Sequence, residues 1–119
     1  MKTIQYKGKT IYINDWKNLK NSDQFKPKIE EGNKNTQALI EQGKTNILTL
    51  TDITGSFVFG DTVQLLNQAS KLANGITKKS ATVGLTGGKK VILNSINVFA
   101  KSDVKAFNTI EEAKEWLVK

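Results

Sequence analysis

Asp52, Thr54, Gly55 and Ser56 stand together in Asp52-Ile-Thr-Gly-Ser56, directly after the apolar run Asn46-Ile-Leu-Thr-Leu-Thr-Asp52. A carboxylate followed by two hydroxyls around a glycine suits two kinds of work. Where a strand ends and a helix is about to begin, such groups can receive an anion or a partner beside free helix amides. The same residue types can instead bond local amides in a turn, with Gly55 supplying a positive φ. Phe57 and Phe59 follow at once and add apolar area, which either packs into the core or forms a contact surface. These six residues are the main candidates for ligand or partner binding. A phosphate on Ser56 would add about two negative charges near Asp52 and Asp61, which favours release of a partner.

A second constellation is Gly84-Leu-Thr-Gly-Gly-Lys-Lys90, glycines and lysines between a strand and a helix. Its spacing is not that of a nucleotide-hydrolysing phosphate loop: one residue too few separates Gly84 from Gly88, and Lys90 stands where that loop needs a hydroxyl. A weaker anion contact through Thr86, the Gly87 amide and Lys89 remains open.

The residue inventory excludes several chemistries. With no His and no Cys, there is no imidazole base, thiolate nucleophile or Cys/His zinc site. All 18 basic side chains are Lys, so the planar donor fork of Arg is missing and anions are met only by flexible point charges. Carboxylates, hydroxyls and lysines remain, and no cofactor is expected. The net charge of +7 invites an anionic partner. However, Lys78-Lys79 and Lys89-Lys90 flank the strand expected over 80–85, roughly 20 Å apart at about 3.3 Å per residue. No aromatic residues interleave with them, so nucleic acid is disfavoured.

The elements that must position these groups follow from periodicity. Residues 3–6 and 9–13 read as a hairpin around Lys7-Gly8. A helix is expected over about 27–42, weakened by Pro27, Gly32 and several Asn. The third strand covers 46–52, and Asp61 caps a helix whose apolar stripe runs from Val63 to Ile76. A fourth strand over 80–85, a helix over 91–102 and a fifth strand over 104–107 follow. Thr109-x-x-Glu112 is a capping box that opens the last helix. The order ββαβαβαβα predicts one α/β domain with a mixed, mostly parallel sheet and an antiparallel hairpin at its amino-terminal end. The first residues lack a signal-peptide core, and no run approaches the ~18 apolar residues of a membrane span, so a cytoplasmic location is expected.

From the third strand onward the chain resembles the STAS superfamily, in particular bacterial stand-alone domains similar to the anti-sigma factor antagonists and related to CRAL-TRIO lipid-transfer domains. The resemblance rests on Leu50-Thr-Asp-Ile-Thr-Gly55, Ala81-Thr-Val-Gly-Leu-Thr-Gly87 with Lys89-Lys90-Val-Ile-Leu93, and Phe107-Asn-Thr-Ile-Glu-Glu-Ala-Lys-Glu-Trp-Leu117. It implies a non-enzymatic regulatory or small-ligand-binding module acting through the loop after the third strand. The partner would be a protein or a small apolar or anionic ligand, and a homodimer is compatible. The CRAL-TRIO kinship implies an alternative, a carrier of an apolar or lipid-like ligand. In the antagonists an Asp-Ser-Ser motif carries the phosphorylated Ser. Here Asp52-Ile-Thr-Gly-Ser56 lacks the adjacent Ser pair, and the resemblance implies Thr54 and Ser56 as the candidate phosphorylation positions. A third class, an enzyme working with only Asp52, a hydroxyl and a lysine, is the least favoured.

Overall fold

The chain folds as an α/β protein, seen in a computed structural model that describes residues 2–58, 60–85, 97 and 103–119. The elements are β1 (Lys2–Tyr6), β2 (Lys9–Asp15), α1 (Ser22–Glu41), β3 (Ile47–Asp52), α2 (Gly60–Ala73), β4 (Thr77–Val83), β5 (Val104–Phe107) and α3 (Ile110–Leu117). Of the helix expected over 91–102 only Asn97 is described, and it is helical; the rest lies outside the described residues.

The five strands form one sheet in the order β1-β2-β3-β4-β5. β1 and β2 pair antiparallel through a tight turn at Lys7 and Gly8, both with positive φ, as a two-residue hairpin requires. Every later neighbour is parallel. Two successive right-handed crossovers in one direction put their helices on one face of the sheet, and α1 and α2 do pack against each other. α3 covers the other face, where Ala113 and Leu117 join Ile11, Leu48, Leu50, Ala81 and Val83 in a buried cluster.

Alternation along the strands sorts the two faces. Leu48 and Leu50 point toward α3, whereas Ile47, Thr49 and Thr51 point toward α1 and α2. On that second face the apolar contacts split in two. Trp16, Phe25, Ile29, Ile53, Leu66 and Leu85 cluster at the carboxyl ends of the strands. Leu39, Ile47 and Ile76 cluster at the amino ends.

Three boundaries differ from expectation for physical reasons. α1 starts at Ser22 rather than near 27, because the Asn21 side chain caps it by accepting from the Gln24 amide at 2.9 Å. Pro27 is tolerated inside it because the carbonyl it leaves unpaired, that of Asp23, belongs to an exposed residue that water can reach. Asp61 is the second residue of α2 and not its cap. Its carboxylate accepts from the Ser22 hydroxyl at 2.6 Å and from the Thr62 amide at 3.0 Å. The Ser22 bond is the main reason its pKa lies below the ordinary carboxylate value.

β4 begins at Thr77 and ends at Val83, so Lys78 and Lys79 lie within the strand instead of flanking it. The register steps from Ile47↔Thr77 to Leu48↔Lys79, which leaves Lys78 as the extra residue of a bulge. The Lys79 ammonium donates to the carbonyls of Trp116 at 3.0 Å and Lys119 at 3.2 Å, and lies 5.0 Å from the Trp116 ring centre. It closes the carboxyl end of α3, a role unrelated to a basic patch.

α3 is capped as its sequence predicts: the Thr109 hydroxyl accepts from the Glu112 amide at 3.2 Å. Thr109→Ala should lower stability by about 1 kcal/mol, read as a shift of the urea midpoint at unchanged slope. On the same helix Glu115 receives the Tyr6 hydroxyl and the Lys7 ammonium, the latter at 2.7 Å, tying the hairpin to α3. These contacts, that of Lys7 first, lower the Glu115 pKa.

Candidate functional site

The loop after β3 folds as a closed turn. The Asp52 carboxylate, buried at 6% exposure, accepts the Thr54 amide at 3.0 Å and the Thr54 hydroxyl at 2.6 Å through the same oxygen. The Ser56 amide then reaches back to the Ile53 carbonyl at 3.0 Å. Gly55 takes φ +75°, and a Cβ there would collide with the Asn18 side-chain oxygen. Asp52, Thr54, Gly55 and Ser56 are thus brought together, as the sequence suggested, and the geometry is that of the turn reading.

Ser56 is placed differently from what a modification site needs. It is 1% exposed, and its hydroxyl donates to the Trp16 carbonyl while accepting the Leu19 amide at 2.9 Å. The Phe57 amide bonds the Leu19 carbonyl, the Asn18 amide bonds the Thr54 carbonyl, and the Trp16 amide bonds the Asp52 carbonyl. The segment after β2 is therefore laced to the loop after β3, with Ser56 as the central link. A kinase reaches that hydroxyl only if the lacing opens. Thr54 remains exposed at the turn. Phe57 is 55% exposed beside the Lys20 ammonium, 5.3 Å from its ring centre, so it does not pack into the core. Phe59, Thr86, Gly87 and Lys89 lie outside the described residues.

The chemistry that sequence reading missed lies beneath the helices. Between the sheet and α1/α2 is a cavity of ≈300 Å³. Its sheet wall carries Asn14 from β2, Thr49 and Thr51 from β3, and Ser80 and Thr82 from β4. The register aligns them in two rows across adjacent strands: Asn14↔Thr51↔Thr82 and Tyr12↔Thr49↔Ser80. The Asn14 amide donates to the Thr51 hydroxyl at 3.2 Å, and the Thr49 hydroxyl donates to that of Ser80 at 2.8 Å. Each accepting hydroxyl keeps its own proton to offer. Thr49, Thr51 and Ser80 retain accessible surface although β3 and β4 each have strand neighbours on both sides.

The middle of α1 explains why this space is open. Ile29, Gly32, Asn33 and Thr36 face the cavity at helical spacing, so small and polar residues replace the bulky apolar ones that would fill it. α2 supplies Leu66, Ala69 and Ala73. The apolar cluster around Trp16, Ile53 and Leu85 closes the carboxyl end. Among the described lining residues only Asn74, Lys78 and Asp103 are exposed, and they lie at the end of α2 and the starts of β4 and β5. The cavity therefore meets solvent at the end opposite the Asp52 loop.

No described helix is long and apolar enough to cross a membrane. Among the described residues no group of three carboxylates could hold a metal ion. Compared with known proteins, the chain matches no family model, no curated protein and no solved structure.

Proposed function

We propose that this protein is a non-enzymatic module that binds a small molecule in the cavity between its sheet and α1/α2. The observation that carries the reading is the double row of hydroxyls on β3 and β4. Parallel strands covered by helices on both faces are ordinarily aliphatic throughout. Here two successive inward positions on each central strand, Thr49 and Thr51 on β3 and Ser80 and Thr82 on β4, carry hydroxyls along an open space. Filling that face with Val would bury more apolar surface, so the hydroxyls are better explained by recognition than by stability. Among the described residues of the interior wall no ionisable side chain is free to act as a general acid or base, since the ammonium of Lys79 is engaged beneath α3, which supports a non-enzymatic reading. A small-ligand module is also what the STAS-like resemblance implies. In this reading the Asp52 turn is the closed floor of the site, reaching it through Ile53 and Val58.

Gly32 gives a direct test. A Cβ there would meet Trp16 at 3.6 Å and the Asn14 oxygen at 3.8 Å, ordinary contacts, so a side chain can be added without displacing backbone. Gly32→Leu should remain folded by far-UV circular dichroism while its side chain occupies the cavity. Native mass spectrometry of freshly purified wild type should show a bound small molecule, and Gly32→Leu should show none. Equal occupancy in both proteins would place the ligand elsewhere.

A further inference from the structure

We infer that the ligand is an uncharged, hydroxyl-rich ring compound with an apolar face, of the monosaccharide or cyclic polyol class. This rests on the cavity being the binding site and adds the chemistry of its occupant.

Charge is decided first. Among the described lining residues the polar side chains free to face the interior are hydroxyls and carboxamides, and the exposed Lys78 and Asp103 stand where the cavity meets solvent. An ionised ligand seated against Thr51 and Thr82 would leave water without a counter-ion, a desolvation cost that neutral hydroxyls do not offset. A carboxylate or phosphate is therefore a poor occupant.

Polarity is decided by the sheet wall. A hydrocarbon chain laid over Thr51 and Ser80 would strip water from the hydroxyl protons that those residues still have to offer and give no bond in return. These hydroxyls can both donate and accept, as can those of a polyol, so either partner can adjust its proton to suit the other. Neighbouring strands set one hydroxyl about 4.8 Å from the next, and along a strand the inward positions repeat at about 6.6 Å. That grid presents several contacts to a compact ring and only a few to a thin chain. Opposite it, Leu66, Ala69 and Ala73 of α2 offer an aliphatic surface that suits the C–H face of such a ring.

Size agrees. A volume of ≈300 Å³ equals on the order of ten waters at about 30 Å³ each, enough for a ring of about a dozen non-hydrogen atoms and too small for a dinucleotide or a long acyl chain.

The test is a ¹⁵N NMR titration of wild type, Gly32→Leu and the double variant Thr51→Val/Thr82→Val. The probes are glucose, myo-inositol, gluconate, glucose 6-phosphate and octanoate. Glucose or myo-inositol should shift the amides of residues 49, 51, 80 and 82 in wild type and bind at least tenfold tighter than either ionised sugar derivative. The double variant should lose roughly tenfold in affinity for the neutral compound, the consequence of about one neutral hydrogen bond. If gluconate, glucose 6-phosphate or octanoate binds as tightly at the same amides and is lost in Gly32→Leu, the cavity stands as the site and the ligand class is wrong. The class is equally overturned if neither neutral compound shifts those amides. Binding of any probe that survives Gly32→Leu with shifts elsewhere would instead sink the site itself.

Discussion

Phe25→Ala should lower the unfolding free energy by about 3–5 kcal/mol, close to the whole stability of many domains this size. Phe25 is fully buried, packs edge-on against Trp16 with ring centres 6.5 Å apart, and shares its cluster with Ile29, Ile53, Leu66 and Leu85. Its neighbours come from β2's exit, α1, α2 and the loops after β3 and β4, so the void cannot close by one side chain moving. Phe57→Ala provides the contrast: that ring is more than half exposed, and its loss should change stability by no more than about 0.5 kcal/mol. Urea unfolding of the two variants side by side checks both. Similar midpoints would mean that α1 is not docked through Phe25.

Gly84→Ala should cost on the order of 3 kcal/mol, although it adds a single methyl group. Gly84 has φ +95°, a region that L-residues rarely enter, and a Cβ would lie 2.5 Å from the Thr54 nitrogen and 2.6 Å from its Cα. Those are backbone atoms of a turn fixed by the Asp52 carboxylate, so they cannot yield as a side-chain tip would. Gly8→Ala tests the conformational part alone, because its φ is +80° with nothing within 4 Å of the added carbon. Thermal unfolding should rank wild type, Gly8→Ala and Gly84→Ala in descending order of midpoint. Equal losses at the two glycines would show that close approach to Thr54 contributes nothing.

Gly84 also shows what local reading could and could not supply. In sequence it resembles part of an anion loop, whereas its role comes from a turn some thirty residues earlier that only the sheet brings near. Ser56 is similar: hydroxyls clustered near a carboxylate look functional, yet this one serves the backbone at Trp16 and Leu19. Features defined within a few residues were legible. The Thr109 capping box and the Lys7-Gly8 hairpin follow from short patterns, the parallel ladder follows from the order of strands and helices along the chain, and each is present.

Lys78-Lys79 concealed the start of β4 because charge reads as surface, and the contact that draws Lys79 inward, with Trp116, lies at the other end of the chain. The cavity left a signal that could have been used. Thr49 and Thr51 alternate with Leu48 and Leu50, Ser80 and Thr82 alternate with Ala81 and Val83, and parallel central strands seldom alternate in this way. The features that made α1 look weak, Gly32 and its neighbouring Asn and Thr, are the ones that leave room above those hydroxyls.

The strand order has a consequence for synthesis. Position in the sheet follows position in the chain, so each strand from β2 onward docks on the edge left by its predecessor and never inserts between two strands already paired. During translation the growing sheet always exposes its newest edge, and the next strand to leave the ribosome is the one that covers it. β5 is last, and the outward groups of Val104 are met by the Asn97 side chain, whose carboxamide accepts the Val104 amide at 2.9 Å and donates to its carbonyl at 3.1 Å. A single amide side chain thereby takes the place of a sixth strand at that point and blunts the edge against pairing with another nascent chain.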